Sequence, residues 1–267
     1  GMNDRFGESG QAMALMHKFG LDAAGIVHRV LEITSNQDFS IYVRKLGKPF
    51  DTYIKKLYDS KKLYEGYNYR DESTFENCYD TKVYRHYIAQ GKRGHDVLET
   101  LSRALHDHFI THQLYKMLDL YDEKDVIGVM GGHAKRRDDP QYRQIVFLSK
   151  RLTEMGKLMV TGGGQGAMEA AHLGAWMAGR SEADVEEAIT MLMPSPTYKD
   201  EGWLRSSFEV MERFPLKTDY RSLALPTYFY GHEPTTPFAT HIAKYFDNSV
   251  REDGVVTIAK GGIIYTP

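Results

Sequence analysis

The sequence predicts an α/β protein: a Rossmann-like, doubly wound parallel sheet preceded by a mainly helical N-terminal region. Three observations predict it. Short apolar runs close on glycine clusters, a helical stripe separates the first two of them, and residues 1–124 show helical spacing punctuated by glycine. In that first region the stripes are Phe19, Ala23, Ile26 and Val30, then Phe50, Tyr53, Ile54 and Leu57, then Leu98, Leu101, Leu105 and Phe109. Residues 64–81 are polar and aromatic without a period, which reads as a long loop or short irregular elements at an edge or an interface.

A second region, 125–267, changes pattern. Val126-Ile127-Gly128-Val129-Met130, closed by Gly131-Gly132, has the character of a buried parallel strand. Tyr142, Ile145, Val146, Leu148, Leu152 and Met155 form a helical stripe that Gly156 stops, and Leu158-Met159-Val160-Thr161 is a second strand. Residues 167–179 make a helix of small side chains. Residues 188–193 are expected as a third strand, and 255–265 hold a fourth, interrupted by Gly261-Gly262. Strands alternating with helices imply right-handed crossovers.

Composition narrows the function classes. With 42% hydrophobic and 26% charged residues over 267 positions, the chain resembles an ordinary globular protein. No apolar run approaches the roughly 18 residues of a membrane span, so no membrane partner is expected. Gly1-Met2 reads as a processing scar and no export leader follows, which makes the cytoplasm the expected location. A net charge of -2 gives no drive toward nucleic acid, and the lone Cys78 excludes an internal disulfide or a cysteine zinc site. The crowding of Tyr64, Tyr67, Tyr69, Tyr79, Tyr84 and Tyr87 suits a packed annex or an interface, and a homo-oligomer is expected.

The strand-to-helix turn Gly162-Gly163-Gly164-Gln165-Gly166, continuing into Ala167, Met168 and Glu169, is the main candidate site. Glycines let a backbone approach an anion that a Cβ would hold off, and the first amides and dipole of the helix favour a phosphate. No Lys-Ser or Lys-Thr follows, and the spacing is too short for a dinucleotide fingerprint, so kinase and dehydrogenase readings weaken. The alternative is a tight turn without a ligand. Gly131, Gly132 and His133 form a second glycine turn, expected beside the first at the carboxyl edge of the sheet.

The string from Thr161 through Ala171 resembles the first signature of the "lonely guy" family, nucleotide 5'-monophosphate phosphoribohydrolases formerly described as lysine decarboxylases. With Gly131-Gly132-His133 and the helical N-terminal region, it is most similar to the long bacterial nucleosidases of that family. Molybdenum-cofactor carrier proteins are more distant. The resemblance covers about 126–267 and implies a Rossmann-like core. It also implies hydrolysis of a nucleoside monophosphate to base and ribose 5-phosphate, with no cofactor. The family's second signature, Pro-Gly-Gly-X-Gly-Thr-X-X-Glu, is reached only at its first residue, Pro267. The expectation is a chain truncated there, with the assisting glutamate beyond it. The resemblance implies that Arg251 is the family's catalytic arginine.

Read from residue chemistry alone, Arg251 offers a planar fork for phosphate or ribose oxygens, or else a solvated helix ion pair among Asp247, Glu252 and Asp253. Glu169 suits either ribose contact or the positive end of its helix, and His133 either a ligand or a backbone partner. The aromatic, proline-bearing stretch 228–238 suits a wall against the base, or a stiff surface loop. His106, His108 and His112 read as packed or solvent-facing, with no metal expected, and Lys135-Arg136-Arg137 as a solvated charged loop. Two readings compete with the hydrolase: a nucleotide-sensing or cofactor-carrying module that binds without turnover, and a structural Rossmann-like fold whose N-terminal helices serve assembly.

Overall fold

Successive side chains of a strand point to opposite faces of a sheet, and the two expected strands demand cover on both. In β1 (Val126–Gly131) Val126 joins one buried cluster and Val129 another. In β2 (Leu158–Thr161) Leu158 and Val160 join the first cluster and Met159 the second. The computed structural model describes residues 26–27, 46–217 and 219–267, and Lys48–Pro267 forms one compact unit. Within it β3 (Ser222–Ala224), β4 (His241–Ile242) and β5 (Gly262–Thr266) complete an all-parallel sheet in the order β4-β3-β2-β1-β5. This is a Rossmann-like α/β fold. The chain steps outward from β1 to β4, then returns past β1 to place β5. Strand order therefore reverses beside β1.

Residues before β1 supply α1 (Ser60–Leu63), α2 (Tyr79–Ala89) and α3 (Val97–Leu118). Ile110, Leu114 and Met117 of α3 pack with Val160 and Leu223 on one face of the sheet. Tyr58 exchanges two backbone hydrogen bonds with Ile242, at 2.8 and 3.0 Å, so the N-terminal segment caps the β4 edge that would otherwise lie open. On the other face α4 (Pro140–Glu154) lies against α5 (Ala167–Trp176), all ten residues of which are buried. Beyond them come α6 (Glu182–Leu192) and α7 (Trp203–Arg213), and α8 (Asn248–Ile258) precedes β5, with Val255 in the first cluster. Asp247 caps α8 by accepting from Ser249 N–H at 2.9 Å, which fixes the turn that carries Arg251.

Several expected elements differ. The run 188–193 forms the end of α6 and its C-cap, Met193, rather than a strand: Ser181 and Asp184 form a capping box, and Val185, Ala188, Ile189 and Leu192 share one buried helical face. Short apolar runs do not distinguish a strand from a buried helix. The run 255–265 divides between the end of α8 and β5. Phe50 to Leu57 is a series of bends, with Phe50 buried in one cluster, Ile54 and Leu57 in another, and Tyr53 only half-buried. β3 and β4, three and two residues long, are too short to show a period. The stripe Phe19, Ala23 and Val30 lies outside the described residues.

Candidate functional site

The two glycine turns touch. Gly132 C=O accepts from Ala167 N–H at 3.0 Å, and a Cβ on Gly166, whose φ is +69°, would stand 2.3 Å from Gly132 O. Gly166, Gly132 and Gly131 thus serve close packing, since Cβ atoms on the latter two would collide with Thr266 of β5. Gly162, Gly163 and Gly164 instead line a cleft of about 280 Å³, open mouth included, at the carboxyl edge of the sheet. Met168, 7% exposed, lays its thioether along this stretch, 3.2 Å from where a Gly162 Cβ would be. Gln165 turns away and accepts from Tyr198 N–H at 3.3 Å.

Arg251 faces the same cleft. Its Nε and Nη2 would both lie 3.1 Å from a Cβ on Gly162, and its guanidinium sits 4.8 Å from the centroid of the Tyr230 ring. Among the described residues no carboxylate forms an ion pair with it. Tyr230, Glu233, Pro234 and Thr235, from the aromatic stretch singled out in the sequence, form the opposite wall. His133 Nε2 lies 2.9 Å from Glu233 Oε2, which ties the first glycine turn to that wall.

Glu169 does not line the cleft. It is fully buried and accepts from Arg137 Nε at 3.0 Å and from Tyr142 OH at 3.1 Å. Burial holds the Tyr142 phenol well above its ordinary pKa, so it remains a donor. Arg137 also donates to Ser195 O, Trp203 O, Ser206 Oγ and Ser207 Oγ. This corrects the expectation of a solvated loop at 135–137: Arg137 is 1% exposed because every face of its fork finds an acceptor, while Arg136 pairs with Asp138 outside. The pair staples the loop after β1 to the helix that follows the glycine loop.

Two further networks escaped the sequence reading. Lys244 lines the cleft yet is almost wholly buried, its ammonium 2.7 Å from Asp80 of α2, 3.2 Å from Thr235 Oγ1 and 4.7 Å from the Tyr228 ring centroid. Under the glycine loop, Gly163 N–H donates to Thr161 Oγ1 at 2.8 Å, and that hydroxyl meets His172 Nε2 at 2.8 Å. His172 Nδ1 lies 2.9 Å from Ser222 Oγ. Burial pushes His172 down to about 3, so the ring is neutral and serves one hydroxyl as donor and the other as acceptor. Residues far apart in sequence carry no signal of such pairing, although a histidine amid alanines in a small-residue helix is an incongruity a closer reading could have flagged.

His106 is buried against Tyr58 and Asp107, and His108 and His112 are exposed. Among the described residues no three His, Cys, Asp or Glu side chains converge as metal ligands, and no helix is long and apolar enough to cross a membrane. A scan against protein-family models finds no match to the chain, and a search of the curated proteins finds none.

Proposed function

We propose that this cleft binds a nucleoside 5'-monophosphate and that the protein is a phosphoribohydrolase, which cleaves the N-glycosidic bond to give free base and ribose 5-phosphate. The observation that carries the reading is the convergence, in one cleft, of the bare backbone at Gly162 to Gly164 with the guanidinium of Arg251, which has no carboxylate partner among the described residues. A planar, permanently charged fork beside glycine amides suits bidentate capture of a phosphate. The likeness of the glycine string to the "lonely guy" signature supports the choice of reaction. Cleavage builds positive charge on the ribose, which a nearby carboxylate stabilises while it activates water. In the family the glutamate of the second signature fills that role. Thr266 pairs with Gly131, so the carboxyl end of β5 lies beside the first glycine turn.

The test is direct. The protein, incubated with purine and pyrimidine monophosphates, should release base and ribose 5-phosphate, and Arg251→Ala should lower turnover by about 100-fold or more. Absence of base release from every monophosphate overturns the hydrolase. A second reading, a nucleotide-sensing or cofactor-carrying binder without turnover, has one observation in its favour: Glu233, the carboxylate lining the cleft, is already engaged by His133. Tight monophosphate binding with no product would decide for it.

A further inference from the structure

Beside the glycine cleft lies a second, larger one of about 520 Å³, open mouth included. Its walls are aromatic. It is lined by Tyr67 and Phe75, from the segment between α1 and α2, by Tyr198, from the segment leading into α7, and by Trp203, the first residue of α7. Pro234 lines both clefts, so the two are neighbours. The Gln165 bond to Tyr198 N–H ties the glycine loop to the aromatic wall.

We infer that this second cleft is the seat of a nucleobase carrying an exocyclic amino group. The inference rests on the monophosphate reading of the glycine cleft and extends it to the other end of the same ligand. Rings offer π faces on which any base stacks, and here they are held in place before a ligand arrives: Tyr67 meets Phe75 edge to face at 6.0 Å and Phe208 at 5.6 Å. Selection among bases falls to the carboxylates that line the cleft, Glu72, Asp200 and Glu201. Among the described residues none of the three is in an ion pair. The Thr197 backbone N–H and hydroxyl donate to Asp200 at 2.7 and 2.8 Å, which holds its carboxyl below the usual range and keeps it ionised. Ionised carboxylates only accept, so they favour a base edge that presents an amino group and repel one that presents a keto oxygen. Adenosine and inosine monophosphates differ at that edge and share the sugar and phosphate.

Calorimetric titration with ribose 5-phosphate, adenosine, adenosine monophosphate and inosine monophosphate tests this, with Trp203 fluorescence as the local reporter. Adenosine monophosphate should bind about tenfold or more tighter than ribose 5-phosphate, and several-fold tighter than inosine monophosphate. Tyr198→Ala should abolish the first gain and leave ribose 5-phosphate affinity unchanged. Tyr198→Phe, which keeps the ring, should retain it, and this pair of variants separates lost stacking from misfolding. Equal affinity for adenosine monophosphate and ribose 5-phosphate, or no loss in Tyr198→Ala, overturns the base seat. Equal affinity for the adenosine and inosine monophosphates overturns the amino-group assignment. If ribose 5-phosphate fails to bind while adenosine still quenches Trp203 and loses that effect in Tyr198→Ala, the phosphate reading falls and the base seat stands.

Discussion

His172 is buried, neutral and held between Thr161 and Ser222, and this placement has a measurable thermodynamic signature. Its folded-state value of about 3 lies below the 6.5 of an exposed histidine. Between those values the unfolded chain binds a proton that the folded chain refuses, so stability falls as pH drops from 6.5 toward 3 and is unaffected by this group above 6.5. One proton refused costs about 1.4 kcal/mol per pH unit. From pH 7 to pH 5 the integrated loss is about 2 kcal/mol. His172→Gln retains a donor and an acceptor but does not titrate, so all other ionisable groups cancel in the comparison with the parent protein. At pH 7 the variant should be less stable, by about 1–3 kcal/mol, because its hydrogen bonds are less well placed. At pH 5 that gap should shrink by about 2 kcal/mol. Urea unfolding followed by far-ultraviolet circular dichroism at both pH values measures it. A gap that does not change with pH refutes the argument, since it would mean that His172 takes up its proton in the folded protein.

The buried Arg137–Glu169 pair makes Glu169→Gln costly, by about 3–5 kcal/mol in urea unfolding at neutral pH, because the guanidinium is left without its counter-charge. A loss below about 1 kcal/mol would show that water reaches the pair. Gly162→Ala should weaken monophosphate binding about tenfold while changing stability by less than about 1 kcal/mol, since the added methyl meets the Arg251 guanidinium and Met168 rather than backbone. Unchanged affinity by calorimetry would separate Arg251 from phosphate recognition. Ser181→Ala should cost about 1 kcal/mol by removing the capping box of α6, and a neutral outcome would locate the determinant of that helix in its buried face alone.

Sequence by itself determined the core of the fold. The apolar runs before Gly131 and Gly162 became adjacent parallel strands and the small-residue helix became α5; the stripe from Tyr142 to Met155 became α4 and its C-cap, with Tyr142, Ile145 and Val146 buried but Leu148 and Met155 exposed. The stretch 228–238 was singled out for its composition, and four of its residues line the cleft. What tertiary structure alone decided are pairings between segments that share no local period. Arg137 reaches Glu169 across 32 positions and Lys244 reaches Asp80 across 164, and each cation is buried only because the fold delivers its carboxylate. The same holds for the glycines: spacing marks all of them, but only packing separates Gly131, Gly132 and Gly166, which let two turns touch, from Gly162 to Gly164, which face the cleft. A strand such as β4 exists because β3 pairs with it on one side and Tyr58 exchanges backbone hydrogen bonds with Ile242 on the other, and two residues carry no pattern that could announce it.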